Sequence, residues 1–360
     1  MDVSVFDAMI PVLCFGLIVG CTPDSTPESG TTDLDRALRL VVEEMVAEHE
    51  NVNAAALAVD APGIGVAWRG AVGADTGDGA EFSSDRPVRI ASNTKTYVAA
   101  SVLRLAEEGR LGVDDPISLH LPDETVVLLE GDGYRPKDMT IRHLLTHTSG
   151  LYDHSDSQKY GDAILADPQH EWTRTEQVEA AVEWGEPWGE PGEIYTYCDT
   201  GYVLLGEIIE KASGLPLPQA VRSLLNFDAL GLGSTWWENL EPAPDGVPER
   251  AHQFIDEVDT TNFNPSFDLF GGGGLVATVG DMAVFYRALF TGKVFSDPAT
   301  LELMLTTVNG ARARPDADDS ALAPGAYRMG IWLMEIQGVP AYAHSGFWGT
   351  AAVYVPELDL

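Results

Sequence analysis

Apolar positions along the chain follow two periods, and the switches between them sketch the fold. The segment LDRALRLVVEEMVAEHE, from Leu34, repeats apolar residues at helical spacing. The stretch ALAVDAPGIGVAWRGAVG then reads as two strands around the turn signal Asp60-Ala61-Pro62-Gly63. A helix is predicted over about Thr94 to Glu108, stopping near Gly109. Between about residues 115 and 230 loops and helices dominate, most clearly in YVLLGEIIEKASG (Tyr202 to Gly214), which closes on a glycine stop. Strand character returns in GIWLMEI and AAVYV. Strands, a long helical middle and strands again predict that the two terminal segments share one sheet, with the helices inserted between them. No internal repeat of a few tens of residues interrupts this pattern.

The N-terminus carries the one candidate membrane segment, an apolar run from Ala8 to Gly20. It is shorter than the ~20 residues a spanning helix needs and reads as the apolar part of an export signal. Its end, Ile18-Val19-Gly20-Cys21, resembles a bacterial lipobox, with Cys21 as the lipidated residue. The preceding MDVSVFD has no Lys or Arg, whereas a signal starts positive, so the start of translation is expected elsewhere. The Pro, Ser, Thr and Asp of residues 22–33 suit a flexible tether. The expected organisation is a signal over 1–21, a tether over 22–33 and a folded domain over 34–360. The protein is then exported, periplasmic or at the cell surface, and touches membrane through its lipid anchor alone. Of three cysteines, Cys14, Cys21 and Cys198, processing removes the first and modifies the second, leaving no pair for a disulfide.

Charge narrows the partners. The chain has 56 Asp and Glu against 21 Lys and Arg, a net charge of −35. A field of that sign excludes a general nucleic-acid binder, which needs clustered cations for phosphates. Hydrophobic residues still make up 45% of the chain, enough for a core that acidic disordered chains lack.

Candidate chemistry begins at Ser92-Asn93-Thr94-Lys95, opening the predicted post-strand helix. Residues i and i+3 share a helical face with Cβ atoms about 5–6 Å apart, so the Lys95 amine reaches the Ser92 hydroxyl and helps remove its proton. The helix N-terminus offers free N–H groups to a developing oxyanion. Alone, S-x-x-K is of low specificity, and a Ser near a helix cap is the plain alternative. Further along come Thr140-Ile141-Arg142-His143-Leu144-Leu145-Thr146-His147-Thr148-Ser149-Gly150-Leu151, then Pro191-Gly192-Glu193-Ile194-Tyr195-Thr196-Tyr197-Cys198-Asp199-Thr200-Gly201-Tyr202, then Gly271 to Gly274, and finally His344-Ser345-Gly346-Phe347.

In this order and spacing the set closely resembles the class C β-lactamase and DD-peptidase family of active-site serine hydrolases, over about Leu34 to Leu360. The resemblance implies an α+β fold, an antiparallel sheet flanked by helices with an inserted all-helical subdomain and a cleft between them. It implies Ser92 as the acylated nucleophile, Lys95 as its activating partner and Tyr197 as general acid/base. His344-Ser345-Gly346 is the third motif, on a strand lining the cleft, and the backbone N–H groups of Ser92 and Phe347 form the oxyanion hole. The reaction is acyl transfer to Ser92 and hydrolysis without metal or cofactor, on a small-molecule or peptide substrate, by a monomer. DD-carboxypeptidase-like amide or ester hydrolysis is the leading expectation. A promiscuous esterase, a D-aminopeptidase-like enzyme, and a penicillin- or peptide-binding lipoprotein without turnover remain alternatives.

Three departures and one chain end qualify that expectation. Asp199 stands where the family has Asn. An ionised Asp199 facing Lys95 favours the ammonium and shifts the burden to Tyr197, whose ionisation a fixed ammonium favours. It also disfavours substrates with a free carboxylate. His344 replaces the lysine of class C β-lactamases and holds a carboxylate less strongly. Cys198 stands where Ser is common, and no helix start frames it; it is expected as a small buried side chain rather than a nucleophile. The chain stops shortly after Gly346, so a C-terminal strand and helix of the family are expected to be missing.

Rival motifs are weaker. His143 and His147 have a metal-like i, i+4 spacing but lack the H-E-x-x-H glutamate, and are expected to hydrogen-bond loop backbone after the helix. The glycines 271–274 lack the Lys-Ser/Thr of a phosphate loop and are expected to let backbone pass close to the cleft. No serine has glycine at both −2 and +2, which excludes a nucleophile elbow. Trp184, Trp188, Trp236 and Trp237 are expected to pack the helical subdomain.

Overall fold

The computed structural model describes residues 27–49, 52–75, 79–255, 257–307, 310–314 and 326–360. The segment expected to be an export signal, residues 1–21 with Cys21, lies outside these residues. Helix α1 spans Pro27–Glu48 and so begins inside the stretch read as a tether. Proline is tolerated in a first helical turn, where its missing N–H has no intrahelical partner to lose, so a Pro/Ser/Thr-rich composition does not by itself keep a segment extended.

Strands β1 (Ala54–Ala61) and β2 (Val66–Gly73) form the predicted hairpin, in register from Ala54 opposite Gly73 to Ala61 opposite Val66. Leu38 of α1 packs with Val59, Ala61 and Val66 in a small cluster on this hairpin. A short strand β3 (Val88–Arg89) leads into α2 (Thr94–Glu107), close to its predicted span. The helical middle comprises α3 (Asp123–Gly131), α4 (Ile141–Leu145), α5 (Gln158–Ala166) and α6 (Arg174–Trp184). After β4 (Ile194–Tyr195) it continues with α7 (Asp199–Ser213), α8 (Leu217–Leu224) and α9 (Phe227–Leu230). Gly214 ends α7 in the left-handed region at φ 71°, the stop the sequence announced.

The rest of the chain is mostly strand. Strands β5 (Trp236–Trp237), β6 (Phe254–Ile255), β7 (Val258–Asp259) and β8 (Leu275–Ala277) precede α10 (Val279–Phe290) and α11 (Pro298–Met304). Strand β9 (Arg312–Ala313) pairs with β4, and β10 (Trp332–Ile336), β11 (Val339–Gly346) and β12 (Thr350–Tyr354) form an antiparallel meander. Trp236 and Trp237 lie buried on the β3-β8-β5 sheet instead of in the helical subdomain. Trp184 and Trp188 pack there as expected, against Tyr160 and Tyr152.

The terminal segments do not share one hydrogen-bonded sheet. The β1-β2 hairpin and the β10-β11-β12 meander are separate ladders. Helix α10 packs on both, and Leu360 touches the apolar cluster of each. A period of two reveals that a segment is extended and which face is apolar. It does not reveal which strand its backbone edge will meet.

Helix α2 runs through the main core. Its residues from Thr94 to Leu103 are buried, and Tyr97 stacks on Phe285 of α10 at 3.6 Å between ring centroids. α7 and α8 pack against α2, so the helix bearing Ser92 and Lys95 is fixed from several sides. No helix among the described residues is long and apolar enough to cross a membrane.

Candidate active site

Ser92 sits at a sharp entry to α2. Ile90 N–H donates to Leu275 O at 3.0 Å, tying the turn to β8. Ala91 then takes φ 44°, a left-handed conformation that costs a residue with a Cβ about 1–2 kcal/mol. A 3-10 turn over Ala91–Asn93 feeds into the helix, leaving Ser92 only 8% exposed. The Asn93 side chain fastens the turn by donating to Ile90 O and to Thr350 Oγ1 of β12. One turn on, Lys95 is fully buried and its Nζ donates to Ser92 Oγ at 2.8 Å and to Gly272 O at 2.6 Å. The same Nζ lies 2.6 Å from Asp199 Oδ1 and 4.9 Å from the centre of the Tyr197 ring.

The glycine run does what its composition predicts. Gly272 supplies the carbonyl to Lys95. A Cβ on Gly271 would strike Tyr202 O, and one on Gly273 would strike the Asp268 carboxylate. At Gly271 the backbone therefore passes the backbone of α7 at a distance no side chain would permit.

The loop from His147 to Ser155 clamps the segment carrying Tyr197 and Asp199. His147, itself at φ 56°, accepts the Cys198 N–H on Nδ1 at 3.1 Å. Buried Asp153 accepts the Ser155 and Asp199 N–H groups at 3.1 and 3.0 Å. His154 contacts Thr200 Oγ1 through both its N–H and its ring. These bonds satisfy N–H groups that a helix start leaves without intrahelical partners. α7 begins at Asp199, so Cys198 is its N-cap residue, against the expectation that no helix start frames it. Burial, followed by the Asp153 charge, nevertheless pushes its thiol well up, and its side chain belongs to the core. His143 accepts the Thr140 N–H and caps α4 at its beginning, so both histidines bond backbone, though neither bonds the loop after the helix.

One electrostatic expectation needs correction, that for Tyr197. Tyr197 contacts Ser92 by a side-chain hydrogen bond, yet its phenol is pushed well above its ordinary range by burial and by the Asp199 charge. A nearby ammonium does not overcome these, so Tyr197 is a neutral hydroxyl in the resting site. His344 is buried, with Nδ1 2.8 Å from Ser345 O and Nε2 3.1 Å from the Tyr327 hydroxyl. Burial and the Lys95 charge push it down to about 3, so it carries no charge with which to hold a carboxylate. Asp199 behaves as expected: burial opposes its ionisation, but Lys95 outweighs burial and holds the carboxyl below its usual range.

The third motif meets the Ser92 turn directly. A Cβ on Gly346 would overlap Ile90 O, and Thr350, paired with Gly346, donates from Oγ1 to the same carbonyl at 3.1 Å. Phe347 follows at the mouth, half exposed. Ser345 is partly exposed on the same strand.

Sequence reasoning missed four residues beside this constellation. Asp153 lay two positions beyond Leu151, just past the end of a run already singled out. Tyr202 lay inside the clearest helix, and its ring faces Lys95 at 5.6 Å. Asp268, whose carboxyl burial and Asp199 push up to about 6, and Tyr327, bonded to His344, lie in irregular segments with no periodic signal.

A family model described as Beta-lactamase matches residues 38–360. Esterase EstB of Burkholderia gladioli is 31% identical over 287 residues, covering 77% of this chain and 68% of that protein. Penicillin-binding protein 4* of Bacillus subtilis is 30% identical over 237 residues, covering 59% of this chain and 48% of that protein. The chain thus spans about half the length of that curated relative. Among solved structures, D-amino acid amidase from Ochrobactrum anthropi SV3 is similar with a TM-score of 0.71 and 26% identity, over 88% of this chain and 84% of that one.

Proposed function

The chain belongs to the Beta-lactamase family, and from that premise we propose that it hydrolyses esters or amides lacking a free carboxylate beside the scissile bond, through an acyl-enzyme on Ser92. Ser92 Oγ attacks the substrate carbonyl and its proton passes to the Tyr197 oxygen, while the Tyr197 proton passes to the leaving group. The carbonyl bond to that group breaks and an ester to Ser92 remains. Water then reverses the relay through Tyr197 and releases the acid. Lys95 holds the Ser92 hydroxyl and supplies positive charge beside the Tyr197 ring, and the N–H groups of Ser92 and Phe347 receive the oxyanion. Losing one such donor typically costs about 10²–10³ in rate. The neutral state of Tyr197 suits this relay, since the phenol has a proton to give when the leaving group needs one.

The observation that carries the substrate preference is the pair Lys95 Nζ–Asp199 Oδ1 at 2.6 Å. The charge that would attract a substrate carboxylate is already matched, and His344 offers none. A second reading, DD-carboxypeptidase-like hydrolysis, draws support from the similarity to penicillin-binding protein 4*.

A fluorophosphonate adduct at Ser92, absent in Ser92→Ala, tests the chemistry. Rates on a p-nitrophenyl ester, a D-amino-acid amide, a D-Ala-D-Ala peptide and a penicillin test the preference. The wild type is expected to favour the first two, and Asp199→Asn to shift selectivity about 10-fold toward the carboxylate-bearing pair, the scale of one removed charge at several ångströms in a partly screened site. Equal selectivity in both proteins would overturn it.

A further inference from the structure

Behind the Lys95–Tyr197 pair lies a buried group of rings that the proposed relay leaves unused. His344 and Tyr327 meet there, with Tyr327 also 3.5 Å from the Tyr202 hydroxyl, which donates to Leu145 O at 2.9 Å. The hydrogen bonds fix the direction of this network. Ser345 O can only accept, so His344 Nδ1 carries the ring proton. The neutral ring then presents a lone pair at Nε2, and the Tyr327 hydroxyl donates chiefly to it at 3.1 Å, with the Tyr202 oxygen a longer second acceptor of the same proton at 3.5 Å.

Tyr327 is itself held against the helix of Ser92 and Lys95. Its segment turns at Gly330, φ 77°, where an added Cβ would meet Lys95 O at 2.8 Å and Tyr202 Oη at 3.3 Å, besides the Ala99 Cβ. Thr96 Oγ1 donates to Gly330 O at 2.7 Å and closes that contact. A chain of hydrogen bonds therefore runs from α2, through the 327–330 turn, to His344 and on to the carbonyl of Ser345. That carbonyl belongs to the peptide preceding Gly346, and the next peptide carries the Phe347 N–H.

We propose that Tyr327 is a positioning residue that acts through His344: by fixing the imidazole against Ser345 O it sets the orientation of the Ser345–Phe347 backbone relative to Ser92. The inference rests on the acyl-enzyme reading above. A group in this role contributes when charge develops on the substrate carbonyl and little when substrate first binds, because small errors in a preorganised donor are felt chiefly in the transition state.

The experiment uses the full chain and a p-nitrophenyl ester. Tyr327→Phe keeps the ring that packs on Trp332 and His147 and removes only the hydroxyl. Its kcat is expected to fall about 10-fold with KM changed less than twofold, short of the about 10²–10³ expected for outright loss of an oxyanion donor. Tyr195→Phe is the control, since the Tyr195 hydroxyl is buried nearby with no hydrogen-bond partner among the described residues; it is expected to leave kcat unchanged. The double variant Tyr327→Phe/His344→Gln is expected to be no slower than His344→Gln alone. Nitrogen-15 spectra of the imidazoles should show His344 as the Nδ1–H tautomer, with Nε2 shifting in Tyr327→Phe. An unchanged kcat in Tyr327→Phe, a rise in KM that accounts for the loss, strictly additive variants or the opposite tautomer would each overturn the inference. A wild type that takes no adduct at Ser92 and turns over no ester would instead overturn the proposed function, and this inference with it.

Discussion

Lys95 separates two regions of opposite character. On one side stand the carboxyls of Asp199, Asp153 and Asp268; on the other stand His147, Tyr202, Tyr327 and His344. The first is only partly withdrawn from water and keeps an anion, whereas the second is fully buried and neutral throughout. Asp199 stays ionised because an ammonium lies at hydrogen-bond distance, whereas Asp153, pushed up first by burial and then by Asp199, has instead the His154 ring at 3.7 Å, which burial pushes down to about 4 and so leaves uncharged. Across the lysine, burial and then the same cation push His147 and His344 down, and phenols face them with neutral hydroxyls. A single buried charge thus recruits one partner of opposite sign and suppresses ionisation of bases around it. That division makes the carboxylate side the place to alter selectivity and the imidazole side the place to alter rate.

Removing the shared cation should break the comparison most severely. Lys95→Met is expected to lower ester hydrolysis at least about 10³-fold, on the scale of losing a nucleophile's activating group. It should also let His344 and His147 titrate at higher pH, which a histidine-resolved NMR titration would read. Histidines that do not move would mean that burial alone keeps that side neutral.

The two sides should also answer differently to one added methyl group. Gly330→Ala sets a Cβ against helix backbone at a left-handed position, and is expected to destabilise by about 2–4 kcal/mol in chemical denaturation. Gly273→Ala meets only the end of the Asp268 side chain, which can swing aside, so a loss below about 1 kcal/mol is expected. Equal losses would erase the distinction.

A pH-dependent effect concerns Asp268, whose carboxyl is pushed up to about 6, first by burial and then by Asp199. The folded state holds this proton more tightly than the unfolded chain, whose carboxyl titrates near 3.9. The stability it contributes is full below about pH 4 and is lost as pH rises through about 6. Asp268→Asn removes that dependence, so its stability relative to wild type should rise by about 2 kcal/mol between pH 4 and 7, after allowance for partial exposure. Melting curves at matched ionic strength would show it, and a constant difference would place Asp268 in contact with water.

Much of this site was legible before any coordinates. Ser92 and Lys95 are one helical turn apart, so local geometry alone brings them together. Tyr197 and Asp199 were legible through the resemblance to the family, whose second motif falls on them at the start of a strongly periodic helix, and an ionised Asp199 facing Lys95 was expected from that placement. Tyr327 and Asp268 were not legible, because each reaches the site from an irregular segment whose partners lie elsewhere in the chain. The partners of His344 also escaped, since a motif names a residue and not the direction its ring faces.

What the sequence determined by itself is whatever depends on neighbours along the chain: the helices and hairpin, the glycine stop after α7, the Ser-Lys spacing, and the sign of the overall field. Tertiary structure decided the rest. It set the two terminal ladders apart, turned His344 inward to Tyr327, and held Tyr197 neutral despite the lysine beside its ring. Pairing of a strand edge and ionisation of a buried group depend on how much water is excluded and which charges arrive from distant segments, and neither quantity is a property of the chain read in order.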